Sequence, residues 1–90
     1  KKCTRLAQAN FNSCPNLTDT ATIALANACR GSLTEANFSN CAKLTDAAVA
    51  ALAAKCDGLE ALYFNNCRNL TSAALVVLAD KCPRLTEVFF

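Results

Sequence analysis

The chain has 90 residues, a net charge of +2, 53% hydrophobic residues and no histidine. So few positive charges, scattered along the chain, do not predict a surface for nucleic acid or for an anionic membrane, and no apolar run approaches the roughly 18 residues of a membrane span. Without histidine as a general base, and without a glycine-rich phosphate loop, the sequence predicts no enzymatic activity and no bound cofactor.

The predicted elements follow one another as strand, loop and helix; this order occurs three times and starts a fourth time at residues 85–90. Alternating residues predict strands over residues 9–11, 36–38 and 62–64, which would pair in one parallel sheet because each helix returns the chain to the same side. Helices are predicted over 19–29, 46–56 and 72–82, each after an N-cap threonine. The helix faces expected to pack on the strands are Val49, Leu52, Ala53 and Cys56 in the second helix, and Leu75, Leu78, Ala79 and Cys82 in the third.

The seven cysteines occupy two fixed places in this unit and recur every 26 or 27 residues. One set ends the helices, and the other follows the strands. A period of this length is typical of a linear array in which each repeat touches only its neighbours. The two sets are Cys3, Cys29, Cys56 and Cys82, and Cys14, Cys41 and Cys67.

Seven thiols could also indicate a zinc site or a set of disulfides. Zinc favours close cysteine pairs and histidine, whereas successive cysteines here are 11 to 15 residues apart. Equivalent cysteines of neighbouring repeats could approach one another, since adjacent strands are about 5 Å apart, but side chains in a parallel ladder point the same way. We therefore predict free, mostly buried thiols, no bound metal and an intracellular, reducing compartment.

Residues 59–67 have the form L-x-x-L-x-F-x-x-C, which residues 33–41 and 6–14 closely match, and a Leu-Thr-Asp or Leu-Thr-Ser triplet follows each. These motifs resemble the cysteine-containing subtype of the leucine-rich repeat family over essentially the whole chain. The resemblance implies an α/β solenoid of about three and a half repeats, a right-handed βα superhelix with a parallel sheet on its concave face and helices on its convex face. Because neither end has a polar capping repeat, residues 1–90 are predicted to be a single leucine-rich-repeat segment of a longer array.

The outward positions of the strands form the first candidate surface for a protein partner. Along the array they change from amides to aromatic residues, which are good anchors for a protein. The asparagines could instead satisfy neighbouring groups on a solvated sheet. Glu35 and Glu87 occupy equivalent strand positions with Ala61 between them, so they do not form a catalytic carboxylate pair. The candidate residues are Gln8, Asn10, Asn12, Glu35, Asn37, Ser39, Tyr63, Asn65, Glu87 and Phe89.

The helix exteriors form the second candidate surface, because they are unusually apolar. A contiguous apolar row along stacked helices indicates contact with another subunit or another part of the parent chain, although a simple preference for alanine in helices would give the same composition. The residues predicted to face outward here are Ile23, Ala50, Ala51, Val76 and Val77.

Two functions follow for the chain. Cysteine-containing leucine-rich repeats commonly form the substrate-recognition half of F-box proteins in ubiquitin ligase complexes, so the resemblance implies a non-catalytic module that binds a protein on its concave face. Nothing in the chain matches the F-box itself. The alternative is a structural scaffold or accessory subunit, packed against other repeats or subunits of a larger assembly, which the apolar helix exteriors and sparse charge favour.

Overall fold

The computed structural model describes residues 6–90 and contains four short strands that alternate with three helices. All strands lie in one parallel sheet in chain order, which confirms the predicted parallel pairing. Within residues 6–90 no helix is long and apolar enough to cross a membrane. The strands are β1 (Gln8–Asn10), β2 (Glu35–Asn37), β3 (Ala61–Tyr63) and β4 (Glu87–Phe89). The helices are α1 (Asp19–Ala28), α2 (Asp46–Lys55) and α3 (Ser72–Lys81).

The helices begin where the sequence predicts and end one residue earlier. Each terminal cysteine is a C-cap: its backbone leaves the helical conformation, while its N–H still donates to the leucine carbonyl four residues before it. The strands begin and end one residue before the predicted bounds. The phenylalanine after each of the first three strands nevertheless donates its backbone N–H to the next strand, at 2.6–2.7 Å, so hydrogen bonding between the strands continues past their ends.

The helix N-termini are joined by a repeated contact between a threonine and an aspartate. Thr45 caps α2 by accepting the backbone N–H of Ala47. The Asp19 carboxylate of the preceding repeat accepts the Thr45 backbone N–H at 2.9 Å and its hydroxyl at 2.6 Å. Asp46 makes the same pair of contacts with Thr71, and these hydrogen bonds lower the pKa of Asp46. The Thr-Asp dipeptide therefore caps one helix and also fixes the position of the next repeat.

The core lies between the sheet and the helices and is most completely closed around the second repeat. Phe38 is 0% exposed and stacks between Phe11 and Phe64, with ring centroids 5.5 and 5.6 Å away. The predicted packing face of α2 is buried throughout. In α3 the prediction fails at Leu75 and Ala79, which are exposed, because α3 packs against α2 and has no further helix on its other flank within residues 6–90.

Of the six described cysteines, five are buried and Cys14 is half-buried, whereas Cys3 lies outside the described residues. Cys14, Cys41, Cys56, Cys67 and Cys82 form no disulfide. The burial agrees with the predicted role of the thiols as small core groups. Three sulfurs donate hydrogen bonds to the preceding repeat: Cys41 to the Phe11 carbonyl at 3.1 Å, Cys67 to the Phe38 carbonyl at 3.0 Å, and Cys56 to the Ala26 carbonyl at 3.7 Å. Among residues 6–90 no group of three or more histidine, cysteine or acidic residues is placed to hold a metal ion.

Burial also controls the acidity of these thiols. Desolvation is the main cause that raises the pKa of Cys41, Cys67 and Cys82, and it raises the pKa of Cys56 to about 11. A thiol is nucleophilic as its thiolate, so at neutral pH these four sulfurs remain protonated and unreactive.

Candidate partner-binding surfaces

The face of the sheet that points away from the helices, here called the outer sheet face, is formed by two rows of side chains. Alternation along each strand directs the intervening residues, such as Ala36 and Leu62, into the core, where both are fully buried. The parallel register aligns four residues in each row. The first row is Gln8, Glu35, Ala61 and Glu87, and the second is Asn10, Asn37, Tyr63 and Phe89.

The second row ends in an aromatic pair. The rings of Tyr63 and Phe89 stack at a centroid distance of 5.0 Å and an interplanar angle of 6°. Tyr63 is half-buried, and Phe89 is 44% exposed. Stacking on a neighbouring strand limits the freedom of both rings before any partner arrives, so a partner would find a preformed apolar platform.

The first row places a gap between two carboxylates. Ala61 lies between Glu35 and Glu87 and is 7% exposed, so its methyl group is largely covered, and no bulky or charged side chain separates the two carboxylates. Neighbouring strands are about 4.8 Å apart, so the two glutamate backbones are roughly 10 Å apart. Desolvation is the main cause that raises the pKa of the Tyr63 phenol, and the negative charges of Glu87 and Glu35 raise it further.

The charges of the chain are distributed unevenly between the sheet and the rest of the molecule. The strand segments 6–12, 33–39, 59–65 and 85–90 contain three carboxylates, Glu35, Glu60 and Glu87, and no lysine or arginine. The described basic residues lie outside these segments, in loops and at helix ends: Arg30, Lys43, Lys55, Arg68, Lys81 and Arg84. The strand side of the molecule is therefore acidic although the chain as a whole is positive.

Several candidate asparagines are already engaged within the fold. The side-chain oxygens of Asn10 and Asn37 each accept a backbone N–H two residues later, at 2.9 Å. A ladder of side-chain amides follows the strands, in which Asn40 donates to Asn12 at 3.1 Å and Asn66 donates to Asn40 at 2.9 Å. Asn40 and Asn66 also adopt a left-handed backbone, with φ of 63° at each, which asparagine tolerates better than most residues. These amides stabilise the turns after the strands.

Ser39 differs from its prediction as an outward residue. It is 6% exposed, and its hydroxyl accepts the backbone N–H of Asn65 from the next repeat at 3.1 Å. This hydrogen bond holds the side chain between two loops, so its hydroxyl is not available on an open surface. The neighbouring candidates Asn12 and Asn65 are exposed, as are Gln8, Asn10 and Glu87, whereas Glu35 and Asn37 are half-buried.

The helix exterior is less continuous than the sequence predicts. Val76 is 68% exposed and Ala50 is exposed, but Ile23, Ala51 and Val77 are half-buried. Ala51 and Val77 follow the buried alanines Ala48 and Ala74 by three residues, and this spacing puts them on the same side of the helix, packed against the core. Their prediction as outward-facing residues is wrong. Ala50 and Val76 remain exposed at equivalent positions of neighbouring helices, so only part of the predicted apolar row is retained.

Two grooves lie at the ends of the described sheet, of which the first is almost entirely apolar and the second is mixed. The terminal strands and helices have a neighbour on one side only, so core side chains line an open surface there. Residues at the first groove include Phe11, Leu17, Thr22 and Leu25, and residues at the second include Leu75, Leu78, Leu85 and Val88.

No family model matches the chain, and no curated protein matches it. Among solved structures, it is similar to a chain in the crystal structure of the Rad7 and Elc1 complex in yeast, with a TM-score of 0.76 and 28% sequence identity over 89% of this chain. The match spans 20% of the length of that chain. This neighbour is thus a component of a protein complex, and the similarity is to one segment of it.

Proposed function

We propose that this chain is a non-catalytic protein–protein interaction module, a solenoid of cysteine-containing leucine-rich repeats whose outer sheet face holds the partner. The observation that carries the proposal is the stacked, accessible pair of Tyr63 and Phe89 on that face. Aromatic residues dominate the binding energy of many interfaces, and a rigid platform lowers the cost of ordering them. Similarity to a chain from a protein complex supports the same role.

The finer assignment is to the target-recognition repeats of an F-box-type ubiquitin ligase adaptor in a reducing intracellular compartment. Its support is the strand, loop and helix motifs, which recur together with both cysteine sets. Free, buried thiols that are hydrogen-bonded to carbonyls suit a reducing environment. Their raised pKa values make them poor nucleophiles, and the chain has no histidine to activate them, which supports a role without catalysis.

A scaffold or accessory subunit is the second candidate function. The apolar groove beside Phe11 and Leu25 favours it, because another repeat or another subunit would cover such a surface. The exposed Val76 on the helix exterior is a further position at which a subunit could pack.

Tyr63→Ala and Val76→Asp distinguish the two candidates. We expect Tyr63→Ala to weaken partner binding by about 1–2 kcal/mol or more, because the ring supplies anchoring area, while Val76→Asp leaves binding unchanged. Affinity capture from cell extract with the immobilised chain identifies the partner, and titration calorimetry with the purified partner then gives the affinity of each variant. Asn27→Ala serves as the control, since Asn27 is exposed on α1 and is not a candidate residue of either surface.

The opposite pattern supports the scaffold. Loss of the partner in Val76→Asp, with full binding by Tyr63→Ala, would place the attachment surface on the helices, since a carboxylate buried without a counter-charge opposes docking. Circular dichroism of each variant excludes loss of the fold as the cause.

A further inference from the structure

We propose that the outer sheet face seats an arginine side chain of the protein partner, with the guanidinium between the carboxylates of Glu35 and Glu87 and against the ring of Tyr63. This inference rests on the proposed function, since it names the chemistry of the partner at the same surface. It follows from the shape of the gap, the adjacent aromatic ring and the uncompensated charge.

The shape of the gap suits a planar cation. Glu35 and Glu87 are two strand spacings apart, and Ala61 between them places no bulky or charged side chain between the two carboxylates. A guanidinium has N–H donors on more than one edge, so it can donate to carboxylates on opposite sides at once. A lysine ammonium is a compact point charge that does not span the gap in this way.

The aromatic ring borders the same gap. Tyr63 is two residues after Ala61 on β3, so both side chains point to the same face, at a distance of about 7 Å along the strand. A cation within about 6 Å of an aromatic ring is attracted to its face, and arginine also stacks on it. Because Phe89 stacks on Tyr63, the ring is held in place as one wall of the site.

The carboxylates have no basic partner in the described part of the chain. Across residues 6–90 the sole ion pair joins Lys81 and Asp80 at 3.8 Å, away from the sheet. The strand segments carry three carboxylates and no lysine or arginine. A basic group from outside would therefore meet an acidic surface without displacing a partner from residues 6–90, and this charge complementarity favours a positively charged protein segment over an anionic ligand.

The test is an NMR titration of the 15N-labelled chain with N-acetyl-arginine methylamide. We expect the backbone amide signals of Ala61, Tyr63 and Phe89 to shift with the arginine probe and to shift far less with the citrulline analogue, which has similar size but no charge. Glu35→Gln and Glu87→Gln should each weaken the apparent affinity about two- to fivefold, as typical exposed ion pairs do. Asp80→Asn is the matched control, because it removes one negative charge from α3, on the other layer.

Three results would overturn the inference: no shift at these three residues, equal binding of arginine and citrulline probes, or unchanged affinity in the Glu35→Gln/Glu87→Gln double variant. Equal or tighter binding of N-acetyl-lysine methylamide would remove the requirement for a guanidinium. If the arginine probe fails while Tyr63→Ala still loses the protein partner, the arginine site is wrong and the proposed interaction surface stands. If the probe binds while Tyr63→Ala keeps its partner fully, the proposed interaction surface fails instead.

Discussion

Phe38→Ala is expected to lower the free energy of unfolding by about 3–5 kcal/mol, the range for removal of a fully buried phenylalanine. Phe38 is 0% exposed, and its ring stacks on Phe11 on one side and on Phe64 on the other. Its loss would open a cavity between three repeats at once, and repeats that touch only their neighbours depend on such interfaces. Urea denaturation monitored by circular dichroism gives the value.

Phe90→Ala is the control for this prediction. Phe90 contacts Phe64 at a similar centroid distance, 5.5 Å, but it is 46% exposed at the end of the stack and is tilted by 42°. We expect a loss of under about 1.5 kcal/mol, because much of the ring is already in water. Equal losses for the two variants would contradict a core centred on the second repeat.

The stability of the chain is expected to fall between pH 9 and pH 11 because of its buried thiols. Burial raises the pKa of Cys56 from 9.0 to about 11 in the folded chain. Below pH 9 the Cys56 thiol is protonated in both the folded and the unfolded chain, so its ionisation does not change the free energy of unfolding. Above pH 9 the unfolded chain loses this proton first, so rising pH favours unfolding until the folded thiol also ionises. From pH 9 to pH 11 this single group should cost about 2 kcal/mol.

Cys56→Ala tests the assignment to one sulfur, since it should reduce this fall by about 2 kcal/mol when chemical denaturation is repeated across the pH range. Val49→Ala is the control: Val49 is buried on the same face of α2 and does not titrate, so its replacement should lower stability by a similar amount at every pH. A Cys56→Ala variant with the pH dependence of the original chain would show that Cys56 is not the responsible group.

The repeat and its elements could be predicted from the sequence because their causes are local. A threonine followed by an acidic or small residue starts each helix, and hydrophobic periodicity defines the face that packs, so the helix starts coincide with the prediction. The errors at Ser39 and Leu75 depend on the presence or absence of a neighbouring repeat. The buried Ser39 hydroxyl accepts the backbone N–H of Asn65 from the next repeat, and Leu75 is exposed since no further helix of residues 6–90 covers it.

Prediction of the candidate site from the sequence is limited in the same way. The repeat length alone predicts that Glu35, Ala61 and Glu87 occupy equivalent positions on successive strands. Because Ala61 separates the two glutamates, the sequence does not predict a catalytic carboxylate pair. The stacking of Tyr63 on Phe89, and the nearness of both carboxylates to the phenol, required the parallel register and the side-chain positions. Conversely, the hydrogen bonds of the amide ladder show that several asparagines stabilise turns. The sequence pattern alone did not distinguish this role from partner binding.

Site-specific photo-crosslinking tests most directly whether the partner lies on the outer sheet face. A benzophenone amino acid placed at Phe89 is expected to form a covalent adduct with the partner in irradiated cells, whereas the same group at Val76, which is more exposed, should form none. Mass spectrometry of the adducts identifies the partner and the crosslinked position. Adducts from Val76 with none from Phe89 would contradict the account and assign the interface to the helices.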